Sequence, residues 1–80
     1  MPLYFFDTRD GETFIEDDVG LEMPDLEAAK ESAAMSLAEL ARDIIPGADT
    51  RVLIVEVRDE KRTLLEARLT FEAVQLVPAV

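Results

Sequence analysis

The stretch from Pro24 to Gly47 constrains this chain most, because it admits one helix and marks both of its ends. Apolar residues fall at Leu26, Ala29, Ala33, Leu37, Leu40 and Ile44, steps of three or four that line up as a single stripe at helical periodicity. Glu27, Lys30, Glu31, Glu39 and Arg42 lie mostly off that stripe. Asp25 is a good N-cap, and Glu27 puts an acid in the first turn, where the helix dipole favours it. Pro46-Gly47 closes the segment: proline cannot continue a helix and also disfavours helical geometry at Ile45. The expected helix therefore runs from Leu26 to about Ile44, with one packed face and one wet face.

Both flanks of this helix read as β-structure. Leu3-Tyr4-Phe5-Phe6 and Thr13-Phe14-Ile15 are short β-prone runs with Asp10-Gly11 between them. Asp-Gly is a preferred centre for a two-residue type I′ turn. Such a turn sets Arg9 opposite Glu12, Thr8 opposite Thr13 and Phe6 opposite Ile15. Asp17-Asp18-Val19-Gly20 reads as a turn, and Val19, Leu21 and Met23 alternate as a short strand extension that Pro24 stops. After the helix, Val52-Leu53-Ile54-Val55-Glu56-Val57 is a β-branched strand. From Leu64 to Phe71, Leu65, Ala67, Leu69 and Phe71 alternate with polar residues, the mark of a strand with one buried face. Asp59-Glu60-Lys61-Arg62 joins these two strands without a glycine, which predicts a loop built on a type I turn.

The expected fold class is α+β: a β-hairpin, one α-helix, then a β-hairpin, forming one domain over residues 1–80. The strands around Tyr4 and Ile54 look apolar on both faces and belong at the sheet centre. The result is a four-stranded antiparallel sheet of order 2-1-3-4 with the helix on one face. The core should include Phe6, Ile15, Leu26, Ala33, Leu37, Leu40 and Leu69, with Phe5 and Phe14 as the alternatives if the register faces the other way. One helix covers one face only. The other face would then show apolar side chains from the central strands, which calls for a partner.

Composition points the same way. At 80 residues the chain is near the lower limit for a self-sufficient core, and it has neither cysteine nor histidine, so disulfides and imidazole or thiolate metal sites are excluded as staples. Association is the remaining source of stability, and a homodimer is expected. The net charge is −10, and residues 51–80 are balanced, so the acidic excess sits in the first fifty residues. That distribution repels phosphate backbones and argues against nucleic-acid binding. No apolar run approaches the ~20 residues of a membrane span and no secretory signal pattern opens the sequence, so cytoplasmic residence without membrane contact is expected.

The candidates for chemistry are carboxylates. Asp7, Asp10, Glu12, Glu16, Asp17 and Asp18 cluster in the first hairpin and its turn, and hard cations favour carboxylate oxygens. The spacing departs from a calcium loop, since Arg9 takes the third position and Gly11 comes one place early. There is no serine elbow, phosphate-binding glycine loop or zinc signature. Tyr4, Phe5 and Phe6 read as packing residues rather than base-stacking ones. Arg58, Lys61, Arg62 and Arg68 form a modest basic group that an acidic first hairpin of a neighbouring molecule would match. No catalytic, cofactor-binding or metal-binding residue is assigned. The preferred reading is a non-catalytic protein-interaction module acting as a homodimer or with a protein partner. The alternative is a small enzyme or divalent-metal site built on Asp7, Asp10, Asp17 and Asp18.

Tyr4-Phe5-Phe6, Arg9-Asp10-Gly11 and Gly20-Leu21-Glu22-Met23-Pro24-Asp25-Leu26-Glu27-Ala28-Ala29, followed by Val55-Glu56-Val57-Arg58-Asp59-Glu60 and Phe71-Glu72-Ala73-Val74, resemble a family of short uncharacterised bacterial proteins, a domain of unknown function. In that family histidine usually follows the aromatic strand, where this chain has Asp7, and the second hairpin usually has a glycine that is missing around Lys61. The resemblance implies this fold and compartment and carries no activity. Pro24-Asp25-Leu26-Glu27-Ala28-Ala29 and the acidity are also similar to antitoxin subunits of bacterial toxin–antitoxin pairs. That likeness implies an acidic binding domain that masks a basic surface.

Overall fold

The computed structural model describes residues 1–78. Strand β1 (Leu3–Asp10) turns into β2 (Thr13–Ile15), and a short β3 (Leu21–Glu22) follows. Helix α1 spans Leu26–Ile44 and ends in a single 3-10 turn at Ile45–Gly47. The chain then returns as β4 (Thr50–Arg58) and β5 (Thr63–Glu72). All pairings are antiparallel, in the order β2-β1-β4-β5, with β3 also on β1. The class is therefore α+β with the helix between strands. The expected count of four strands and order 2-1-3-4 become five strands and order 2-1-4-5, because Leu21–Glu22 forms its own ladder against Leu3 and Tyr4.

The helix ends where local chemistry stops it. Asp25 is extended and its Oδ1 accepts the Ala28 N–H at 2.9 Å, satisfying one of the donors that a helix start leaves free. Arg42 places a cation in the last turn, and the Ile45 N–H still donates to the Ala41 carbonyl before Pro46 tightens the chain into the 3-10 turn.

The first hairpin corrects the expected register. Asp10 pairs with Thr13, Arg9 with Phe14 and Thr8 with Ile15, so the turn centres on Gly11-Glu12 rather than Asp10-Gly11. A type I′ turn needs positive φ at both central residues. Gly11 has φ of 60° and no non-glycine residue among those described is positive, which is the pattern of a turn with glycine in its first central position. Asp10 stays in the strand, where its Oδ1 accepts from Arg51 at 3.1 Å. The shift is two residues along β2, so the alternation of faces survives.

Helix α1 lies along β4 and β5. Ala29 and Ala33 are fully buried, and their small side chains let the helix approach Leu53, Val55 and Val57, which are also buried. Leu37 and Tyr4 complete the buried set. Phe6, Leu40 and Leu69 pack against it half-buried. Ile15 and Leu26 do not join the core: they are 62% and 38% exposed. Ile15 faces the helix side but sits on β2, beyond the reach of a helix centred on the other half of the sheet, and Leu26 is at the helix's open end. Phe14 is 43% exposed on the opposite face, beneath the Arg9 guanidinium at 4.4 Å from the ring centroid.

That opposite face also differs from expectation. The outward residues of the central strands are Leu3, Phe5, Asp7 and Arg9 on β1 and Val52, Ile54, Glu56 and Arg58 on β4. Arg9 Nε donates to Glu56 Oε1 at 2.6 Å, Arg58 Nε donates to Asp7 Oδ2 at 2.7 Å, and Arg58 lies 4.5 Å from the centroid of Phe5. The face therefore mixes two ion pairs with apolar residues, where apolar residues alone were expected. No described helix is long and apolar enough to cross a membrane.

Candidate functional site

The acids singled out in the sequence divide between the two faces of the sheet. Asp10 is on the helix side with Arg51. Asp7 and Asp17 meet on the other side, and Asp18 stands exposed in the turn beyond them. Among the described residues no three His, Cys, Asp or Glu side chains converge as a metal ion requires. The basic group is divided too. Arg58 is consumed by the first hairpin of its own chain, so the expected pairing between neighbouring molecules is at this residue an internal one.

Asp7 and Asp17 organise a latch. Asp7 is 6% exposed; its Oδ1 accepts the Asp17 N–H at 2.9 Å, and its Oδ2 takes the Arg58 Nε. Asp17 Oδ2 accepts the Phe6 N–H at 3.0 Å, while its Oδ1 accepts the N–H groups of Val19 and Gly20. Arg58 closes the ring by donating to the Asp17 carbonyl at 2.8 Å. Every acceptor is used, and no described buried side-chain polar atom lacks a partner. Burial pushes the Asp17 carboxyl up, but the N–H groups of Phe6, Gly20 and Val19 together with Arg58 outweigh it and hold the group below its ordinary 3.8. The hydrogen bond that Arg58 donates to Asp7, set against some desolvation, raises the Arg58 guanidinium above its ordinary value. Gly20 has φ of 78°, and a Cβ there would meet Leu3 Cδ1 and Phe5 Cε1 at 3.0 Å. The turn from Glu16 to Gly20 is thus pinned down over β1. Sequence alone marked the turn and its acids; the Arg58 partner comes from the β1–β4 pairing and had no local signal.

The edges of the sheet are unequal. One edge consists of β2 and β3, three and two residues long, too short and broken to template another strand. The other edge is β5, ten residues without proline. Along β5, Glu66 and Arg68 are exposed and paired to each other at 2.7 Å. Asp59 in the preceding turn accepts the Lys61 and Arg62 N–H groups at 2.7 and 2.8 Å, which lowers its carboxyl from the ordinary 3.8. Beside this turn, Pro2, Leu3, Asp59, Glu60 and Lys61 line a shallow depression. At the far end of β5 the chain continues past Glu72 with Val74, Leu76 and Val77 at 64%, 90% and 69% exposure.

No curated protein and no solved structure matches the chain. A family model does match, over residues 3–71, which takes in the helix, every strand but for the last residue of β5, and all three members of the latch. The chain belongs to the family described as Domain of unknown function (DUF6894).

Proposed function

We propose that this chain is a non-catalytic protein-interaction module that acts as a homodimer. One observation carries the reading: the molecule exposes more surface than a protein of its mass should. Its accessible area is 5873 Å², whereas a compact monomer of 8.9 kDa exposes about 4,800 Å². The excess of roughly 1,000 Å², which includes the exposed segment after Glu72, is comparable to what one partner gives up in a standard interface, about 800 Å². The radius of gyration, 15.1 Å, likewise exceeds the roughly 12 Å of a compact 80-residue domain. Of the carboxylates that an enzymatic or metal-dependent reading would use, Asp7, Asp10 and Asp17 are already bonded to arginines and backbone N–H groups, which supports a scaffolding role for these three, while Asp18 is exposed in the turn. The net charge of −10 disfavours nucleic acid as the partner. A bacterial origin and a cytoplasmic location belong to the same proposal.

Sedimentation equilibrium at micromolar concentration tests the proposal. The expected result is a mass twice that of the chain and a thermal midpoint that rises with protein concentration, because association stabilises by mass action. A monomer throughout, with a midpoint independent of concentration, overturns it.

A further inference from the structure

We propose that two copies of the chain join edge to edge through β5, antiparallel about a two-fold axis at Ala67, making one continuous sheet. The inference rests on the homodimer reading above and names its interface. β5 is the only long edge the described sheet offers, and an isologous antiparallel pairing must place each residue opposite its mirror position about the axis.

The sequence of β5 is self-complementary about one residue. With Ala67 on the axis, Leu65 faces Leu69 of the second copy on the helix side, and Ala67 faces its own equivalent. On the other side Glu66 faces Arg68 of the second copy and Arg68 faces its Glu66. Further out, Arg62 comes level with Glu72 of the second copy. Opposite charges directly across an antiparallel pair stabilise it, and like charges destabilise it.

Within one chain these two charges are poorly served. Glu66 sits directly opposite Glu56, and Arg68 opposite Ile54, so their own sheet gives Glu66 a like charge and Arg68 no charge at all. Glu56 is already taken by Arg9. Glu66 and Arg68 are left to bond each other two residues apart on an exposed strand, 44% and 54% exposed. A second β5 supplies each with the partner that β4 withholds.

The other layers of the molecule fit the same arrangement. Helix α1 lies over β4 and β5, and with strands about 4.8 Å apart the two helices come to lie on the same face roughly 10–14 Å from each other, at or just beyond the spacing of packed helices. At this register Ala73 to Gln75 of one copy run level with Lys61 to Asp59 of the other. The exposed apolar residues after β5 are thereby brought to the depression lined by Pro2, Leu3 and the β4–β5 turn.

The test is a charge swap across the axis, read by sedimentation with circular dichroism as a check on folding. Arg68→Glu places carboxylates opposite each other twice per dimer and should weaken association at least tenfold while leaving the fold intact. The double variant Glu66→Arg/Arg68→Glu restores both pairs and should dimerise as the parent does. A parent dimer unaffected by Arg68→Glu, or a double variant that fails to regain the dimer, overturns the β5 interface while the homodimer reading stands. A parent chain that is monomeric overturns both.

Discussion

Asp17 shows how one side chain can hold a turn against a sheet. It accepts three backbone N–H groups, from Phe6, Val19 and Gly20, and presents its own N–H to Asp7. Burial works against its charge, and the bonds to it prevail, so its folded pKa lies below the ordinary 3.8. A carboxyl whose pKa is lower folded than unfolded contributes stability that is complete above the unfolded value and disappears as pH falls through the folded one. Asp59 is shifted in the same direction by the Lys61 and Arg62 N–H groups. Chemical denaturation should therefore show constant stability from about pH 7 to 5 and a decline below about pH 4. Asp17→Asn should be less stable at neutral pH, since an amide oxygen replaces two charged acceptors, and should lose less on acidification. An acid decline identical to that of the parent chain would show that Asp17 carries no part of it. Asp17 was legible as a turn residue because Asp-x-x-Gly is local chemistry. Its role was not, because Phe6 and Arg58 reach it only through tertiary pairing.

At the scale of elements, legibility followed the range of the signal. Helix α1 begins and ends where Asp25 and Pro46 place it, since a cap and a proline act on neighbours within one turn. The first hairpin slipped by one position in its turn because Asp10 is held in the strand by Arg51, a partner 41 residues away. Alternation told correctly that Leu65, Ala67 and Leu69 share a face; that this face lies level with Leu53, Val55 and Val57 is known only from the ladder. It did not tell how far the helix extends over that face, so Ile15 and Leu26 read as core and are exposed. Arg58, read as part of a basic group for a neighbouring molecule, pairs instead with Asp7 across the β1–β4 seam, and Arg9, expected opposite Glu12, pairs there with Glu56. Leu37 is where the helix stripe is most demanding: a large side chain, 6% exposed, over the buried valines of β4. Leu37→Ala should lower unfolding free energy by about 2–5 kcal/mol, measured by urea titration. A loss under about 0.5 kcal/mol, the value of surface sites, would place the stripe elsewhere.

For the molecule as a whole, principal extents of 56 × 22 × 17 Å describe a slab rather than a sphere. A ten-residue strand accounts for about 33 Å of the long axis, and the β4–β5 turn and the chain after Glu72 lengthen it at either end. A slab with one protected edge and one long regular edge favours lateral growth by one neighbour only, which closes as a dimer when the joined edges are equivalent. The seam between β1 and β4 has a further consequence, in the time domain. Its partners lie 43 to 53 positions apart in the chain, whereas β1–β2 and β4–β5 are each closed by a short turn. Hairpins form in about 1–10 μs, but the seam must wait for the helix-bearing segment to be drawn in, and that loop closure is an entropic cost incurred before any seam contact rewards it. Folding should therefore be limited by the meeting of two preformed hairpins. In a chevron series, Val55→Ala at the seam should slow folding, while Ile15→Ala at the outer edge should act, if at all, on unfolding alone. Equal effects of Val55→Ala and Ile15→Ala on the folding limb would argue for a nucleus elsewhere. The chain would then spend its slowest moment as two separate ribbons with the β5 edge already formed, so a second copy could find that edge before the first had closed its own sheet.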